Sequence, residues 1–260
     1  MDLGLAGKVA LITGGSKGIG LVTAITLASE GAHIAICARN EDDLRNAAAK
    51  IVEQTGAKVH YIQADVSTEE DCQRAVAETV EHFGRLDILI NNAGTFAASP
   101  FEQATHEVWT QDLDLKLFGA IHCSKAALPY LKESGKGAIV NMSTSSAKTP
   151  SASSLPTSVS RAAGLALTKA MSQDLAASHI RVNAVCVGLI QSDQIEKSWK
   201  TQQPELTWEQ FSQLPYHQIP LGRIGYTQEA ANVITFLVSD AASYVTGTSV
   251  NVDGGKGATL

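Results

Sequence analysis

No stretch of this chain stays apolar for long enough to cross a bilayer, and its opening residues, MDLGLAGKVALITGG, break early into Gly and Thr. Neither a secretory leader nor a membrane helix is expected, which points to a cytoplasmic protein. A basic excess is also missing: 20 Lys and Arg stand against 26 Asp and Glu, for a net charge of -6. That balance leaves no overall electrostatic footprint for nucleic acid or an anionic membrane, so an anionic ligand has to be held locally. Cysteine is scarce and scattered. Cys37, Cys72, Cys123 and Cys186 form no CxxC pair and have no His at ligand spacing, which argues for free, mostly buried thiols and no metal site. Internal repeats and low-complexity tracts are lacking too.

What is present is the composition of a soluble globular protein, with 44% hydrophobic and 18% charged residues, and this argues against a disordered segment. A chain of 260 residues buries a large core, and α/β folds of this size are routinely one domain, so residues 1–260 are read as a single domain. Short β-branched runs at 9–12, 34–37, 59–63, 88–91, 138–142, 182–187 and 249–252 alternate with longer amphipathic stretches at 19–29, 44–54, 75–83 and 230–239. Such apolar strands, with little polar alternation, suit a parallel sheet covered on both faces. The expected fold is a Rossmann-like, doubly wound α/β domain with a parallel sheet of about seven strands. Residues 191–220 break the rhythm, carrying Trp199, Trp208, Phe211, Leu214 and Tyr216 among polar residues. A segment of this kind is either a substrate lid or a surface excursion packing its aromatics on the body.

The run Thr13-Gly14-Gly15-Ser16-Lys17-Gly18-Ile19-Gly20 follows the first strand and opens the first helix. Glycines there let backbone N–H groups approach a pyrophosphate, and a helix N-terminus favours its negative charge. The second strand ends in Cys37-Ala38-Arg39-Asn40, without the acid that commonly holds the adenosine ribose in NAD sites. Arg39 and Lys17 are two cations suited to a 2′-phosphate, which points to NADP(H) in preference to NAD(H). In the competing reading Arg39 merely pairs with Glu41 or Asp42.

With these motifs in place the chain resembles the short-chain dehydrogenase/reductase family over essentially its whole length. The family's TGxxxGxG turn is residues 13–20, its adenine-contacting Asp is Asp65 in Ala64-Asp65-Val66, and its NNAG stretch is 91–94. Further matches are Ile180-Arg181-Val182-Asn183-Ala184-Val185, Pro220-Leu221-Gly222-Arg223, Tyr244-Val245-Thr246-Gly247 and Val252-Asp253-Gly254-Gly255. The resemblance implies a Rossmann-like fold, a small-molecule substrate and a homo-oligomer, tetramer or dimer. It also implies cofactor contacts at Gly14, Ser16, Lys17, Gly18, Ile19, Arg39, Asp65, Val66, Asn92, Ala93, Gly94, Arg161 and Ile190. Residues 158–177, rich in small and apolar side chains on several faces, suit a helix packed against a symmetry mate.

The same alignment places the family's catalytic Asn-Ser-Tyr-Lys set on Lys116, Thr144, Thr157 and Arg161, and none of the four is retained. The Pro-Gly turn after the sixth strand is changed as well, reading Val187-Gly188. Thr144 keeps a hydroxyl that can donate to a carbonyl oxygen, and Arg161 can donate to the nicotinamide ribose. Thr157 forms hydrogen bonds but is far too weak an acid to stand in for a phenol. For Lys116 three readings are open: a proton donor with a lowered pKa, an ion pair with Asp112 one helical turn earlier, or a partner of Arg161 in neutralising a substrate carboxylate. Ser146, Lys148, Tyr216 and His217 are further candidates near the pocket. The leading expectation is an NADP(H)-dependent oxidoreductase of a carbonyl or alcohol, using a non-standard proton path. The alternatives are a redox-silent NADP(H)-binding protein, as sensor or partner subunit, and a non-redox enzyme using the same pocket. The aromatics of 191–220 hint at an apolar or bulky ligand.

Overall fold

In the computed structural model, which describes residues 2–259, seven strands form one parallel sheet. They are β1 (Val9–Thr13), β2 (His33–Ala38), β3 (Val59–Gln63), β4 (Ile88–Asn91), β5 (Ala138–Thr144), β6 (Arg181–Val187) and β7 (Ser249–Val252). Their order across the sheet is β3-β2-β1-β4-β5-β6-β7, every neighbouring pair being parallel. Chain order therefore reverses between β1 and β4. That reversal opens a crevice at the carboxyl ends of the strands, where open α/β sheets bind ligands.

Alternate residues of each strand feed two separate cores, as the period of two requires. Ala10, Ile12, Ile34, Ile36, Ile88, Ile90 and Val140 pack with the helices α1 (Gly18–Ser29), α2 (Glu41–Thr55) and α9 (Thr227–Val238). Val9, Leu11, Ala35, Leu89 and Ile139 face the other way, onto α3 (Glu69–Phe83), α5 (Gly119–Glu133) and α6 (Thr157–Asp174). All four cysteines are free and buried, three of them in this second core. Burial pushes the Cys37 thiol up to about 12, so it is inert at neutral pH.

Two connections between β4 and α6 matter for the site. The chain after β4 runs into α4 (His106–Leu113), then a widened π turn at Asp114–Phe118 leading straight into α5. A π turn inserted between helices often marks a functional position. Ala98–Ser99 pairs antiparallel with Leu155–Pro156, tying the loop after β4 to the start of α6. Beneath them, Asn91 donates to Asn141 Oδ1 (2.8 Å) and Ser124 Oγ (3.1 Å), while Asn141 donates to Thr168 Oγ1 (2.9 Å). This buried polar ladder links β4, β5, α5 and α6 below the site.

Segment 191–220 is largely helical, with α7 (Asp193–Gln202), α8 (Trp208–Ser212) and a 3₁₀ turn at Pro215–His217. Its aromatics pack on each other: Trp199 lies edge-on to Trp208 at 5.7 Å, and Phe211 sits 6.0 Å from Trp208 and 5.1 Å from His217. Trp199, Trp208 and Phe211 are thus engaged with one another, while Tyr216 stays exposed. Among the described residues no helix is long and apolar enough to cross a membrane.

Candidate active site

The glycine turn between β1 and α1 adopts the backbone its sequence demands, with Gly14 at φ 63° and Gly18 at φ 54°, where side chains are disfavoured. Lys17 caps α1 without a side-chain hydrogen bond, and no acidic residue stands in the first turn. The N–H groups around Ser16, Gly18 and Ile19 are thus suited to an anion. Asn92 fastens this turn to β4, donating through Nδ2 to Thr13 O (2.9 Å) and Gly14 O (3.0 Å). Thr13 Oγ1 in turn accepts from the backbone N–H of Asn92 and of Ala93, each at 3.0 Å.

A cleft runs from Gly14 past Arg39, Asp65 and Val66 to Ala93 and Gly94. Arg39 stands exposed just beyond β2 and makes no ion pair among the described residues, because Arg45 takes Glu41 (3.1 Å) and Asp42 (3.4 Å) instead. Lys17 is paired with Asp43 at 2.8 Å, so it is a compensated charge. Asp65 Oδ1 accepts from Ser67 N and Oγ at 3.0 and 2.8 Å, which fixes the carboxylate at the cleft wall. Ile190 is buried and held by a parallel bridge to Gly225 beyond the end of β6.

Lys116, Thr157 and Arg161 are drawn together, while the Thr144 hydroxyl pairs with Ser146. Lys116 lies in the π turn with its side chain fully buried, donating to Asp112 and, at 2.7 Å, to Thr157 Oγ1. Thr157, first residue of α6, donates to Ala97 O at 2.6 Å and accepts from Ala97 N at 3.2 Å. Ser160 donates to the other Asp112 oxygen at 2.5 Å. Burial pushes the Lys116 ammonium below the usual range, helped by Arg161, while Asp112 opposes the fall. Arg161 is half-buried; Nη1 donates to Met142 O at 2.7 Å, and Nε is out of contact with solvent and has no partner. Desolvation lowers it to about 10, which leaves the guanidinium charged at neutral pH. A Cβ on Gly94 would come within 2.3 Å of Arg161 Nη2, so glycine is what lets the cation lie against this loop. Thr144 ends β5 with its hydroxyl 2.6 Å from Ser146 Oγ.

The reading in which Lys116 pairs with Asp112 is therefore the arrangement present. Asp112 was visible in the sequence only as the ordinary i−4 partner of a lysine, whereas Ser160 and the Ala97 carbonyl carried no signal at all. Lys148 donates to Asn251 Oδ1 (2.7 Å) and Ser249 O (3.2 Å), toward β7. Tyr216 is exposed with its ring against His217, whose Nε2 lies 2.9 Å from Phe211 O.

The family model described as Enoyl-(Acyl carrier protein) reductase matches residues 14–256. The chain is 34% identical over 255 residues to human Dehydrogenase/reductase SDR family member 4, covering 96% of this chain and 88% of that protein. This chain belongs to the short-chain dehydrogenase/reductase family. It is accordingly an oxidoreductase dependent on a nicotinamide nucleotide. Among solved structures it is similar to a short-chain oxidoreductase from Pseudomonas aeruginosa PAO1 that contains an atypical catalytic centre, with a TM-score of 0.95 and 35% identity, covering 99% of this chain and 100% of that one. It is also similar to L-sorbose reductase from Gluconobacter frateurii complexed with NADPH and L-sorbose, with a TM-score of 0.94 and 34% identity over the whole of both chains.

Proposed function

We propose that this family member uses NADP(H) to interconvert a neutral carbonyl compound and its alcohol, with Lys116 and Thr157 replacing the proton path of the family's Tyr. The observation that carries this reading is the 2.7 Å hydrogen bond from Lys116 Nζ to Thr157 Oγ1, beside an Arg161 that keeps an unpartnered Nε. The residues fit a dinucleotide: the uncapped α1 N-terminus suits its pyrophosphate, and Arg161 Nε is a buried donor that calls for an acceptor such as a ribose hydroxyl. When bound, the nicotinamide supplies or accepts the hydride. Thr144 donates to the substrate oxygen and so polarises the carbonyl. In the reductive direction the Thr157 hydroxyl turns from the Ala97 carbonyl and passes its proton, by way of a water, to the alkoxide oxygen, while Lys116 gives it a proton in replacement. Arg161 stabilises the negative charge as it forms.

The charges decide the substrate class. Asp112 neutralises Lys116, so Arg161 is the sole uncompensated cation of the cluster, and its free donor serves the nucleotide. No second positive charge is left for a substrate carboxylate, which favours neutral carbonyl compounds. Single-turnover oxidation of NADPH is therefore expected with phenanthrenequinone or cyclohexanone and not with pyruvate. A weak, relayed acid implies rates below those of a directly positioned one by a factor of about 100 to 10,000. Fast turnover of pyruvate would overturn the reading.

NADP(H) preference rests on Arg39, which is exposed at the cleft and has no competing carboxylate. Arg39→Ala is expected to weaken NADPH binding by about 1–3 kcal/mol, the range for a hydrogen bond to a charged group, and to leave NADH binding nearly unchanged. Isothermal titration with both nucleotides checks this; equal losses would remove Arg39 from the 2′-phosphate. The NADPH held by the sorbose reductase supports the same preference.

A further inference from the structure

We infer that Asp112 is a positioning residue of this site, aiming the Lys116 ammonium at Thr157 and keeping the proton on it. The inference rests on the proton path proposed above. Asp112 lies in α4 with only 4% of its surface exposed, outside the four positions where the family's catalytic groups fall. Its two oxygens face different elements. Oδ1 receives Lys116 Nζ from the π turn, and Oδ2 receives Ser160 Oγ from the first turn of α6 at 2.5 Å. One carboxylate thereby fixes the separation between the turn that carries Lys116 and the helix that begins with Thr157.

The charged groups facing Asp112 are the Lys116 ammonium and, from α6, the Arg161 guanidinium, whose field also reaches it. The remaining groups around it are the Thr157 and Ser160 hydroxyls, Thr157 Oγ1 lying 3.4 Å from Oδ1. Without the carboxylate, a lysine with no side-chain exposure would face Arg161 alone. Desolvation and like-charge repulsion would then both favour the neutral amine, which has no proton to give. A carboxylate placed elsewhere would keep the charge but lose the aim, since the same Nζ bonds Asp112 Oδ1 and, at 2.7 Å, Thr157 Oγ1.

Two substitutions separate these roles, read with NADPH and phenanthrenequinone on the intact protein. Reduction needs Lys116 protonated, so the rate falls as pH rises through its pKa. Asp112→Asn is expected to move that alkaline fall to lower pH by at least about one unit, as expected when a close opposite charge is removed. NADPH affinity is expected to stay within about two-fold, because the carboxylate bonds Lys116, Thr157 and Ser160 and not the glycine turn or Arg39. Asp112→Glu retains the charge and displaces the lysine, so kcat should drop roughly ten-fold, the scale of a lost proton-transfer alignment, with the fall at its original pH. Should the Asn variant fail to fold, the Glu variant carries the test by itself. An unshifted profile in Asp112→Asn, or an undiminished kcat in Asp112→Glu, would overturn the inference. The underlying proton path fails separately: Lys116→Met with a wild-type pH profile would refute that path whatever Asp112 does.

Discussion

Lys116→Met is expected to lower the unfolding free energy by about 3–5 kcal/mol, the cost of leaving one member of a buried ion pair without its partner. The side chains of Lys116 and Asp112 are 0% and 1% exposed, so neither charge can be rescued by solvent once the other is gone. In this variant the Asp112 carboxylate would keep only Ser160 and a distant Thr157 as donors. Asp112→Leu should cost a similar amount, because it strands the ammonium instead. The two losses should not add. Removing both charges together, Asp112→Leu with Lys116→Met, eliminates two desolvation costs at once, and apolar replacements of buried pairs are often neutral or stabilising. Urea unfolding of the four proteins gives the coupling energy directly. Additive losses would mean that the two groups are not an ion pair in solution.

Gly20→Ala should produce the second large effect, this time on the nucleotide site. A Cβ there would lie 2.3 Å from Gly14 O and 2.5 Å from Asn92 Nδ2, and the first of these is backbone that cannot rotate away. Either α1 tilts or the glycine turn is pushed outward, and in both cases the Asn92 bonds to Thr13 and Gly14 are disturbed. The expected stability loss is roughly 1–3 kcal/mol, as for overpacking of a tight contact. The nucleotide response should be larger in kind: the rise in melting temperature that saturating NADPH gives the parent protein should be mostly lost. Gly18→Ala is the informative contrast. A Cβ on Gly18 meets nothing within 4 Å, so its cost is the left-handed backbone alone, about 1–2 kcal/mol. Comparable thermal shifts in the two variants would show that crowding at Gly20 is not what shapes the turn.

The sheet was legible because its strands are buried on both faces, which writes them as apolar runs such as Ala138 to Met142. Their ends were harder, since Ser143 and Thr144 continue β5 with polar side chains, the first bonded to the Arg161 carbonyl and the second to Ser146. The region holding α4 and α5 gave no clear helical pattern. Gly119 opens α5 and Pro129 lies inside it, and the π turn between the two helices breaks the spacing that a single helix would show. Among the site residues, the glycine turn and Arg39 were readable because local backbone chemistry dictates them. The direction of the Thr157 hydroxyl was not. It depends on Ala97 and Lys116, which are distant in sequence and brought near by the pairing of Ala98–Ser99 with Leu155–Pro156. The lid expectation for 191–220 rested on a long connection that breaks the strand–helix rhythm, and the packing of Trp199, Trp208 and Phe211 on one another was not readable from their spacing.

That packing gives the protein an uneven optical signature. Two of its three tryptophans, Trp199 and Trp208, belong to the peripheral cluster, and the third, Trp109, sits on α4 three residues before Asp112. None is in the sheet. Tryptophan emission consequently reports the surroundings of the site and the segment after β6, while the strands carry no tryptophan. A melting curve followed by fluorescence has to be paired with far-ultraviolet circular dichroism before it speaks for the sheet.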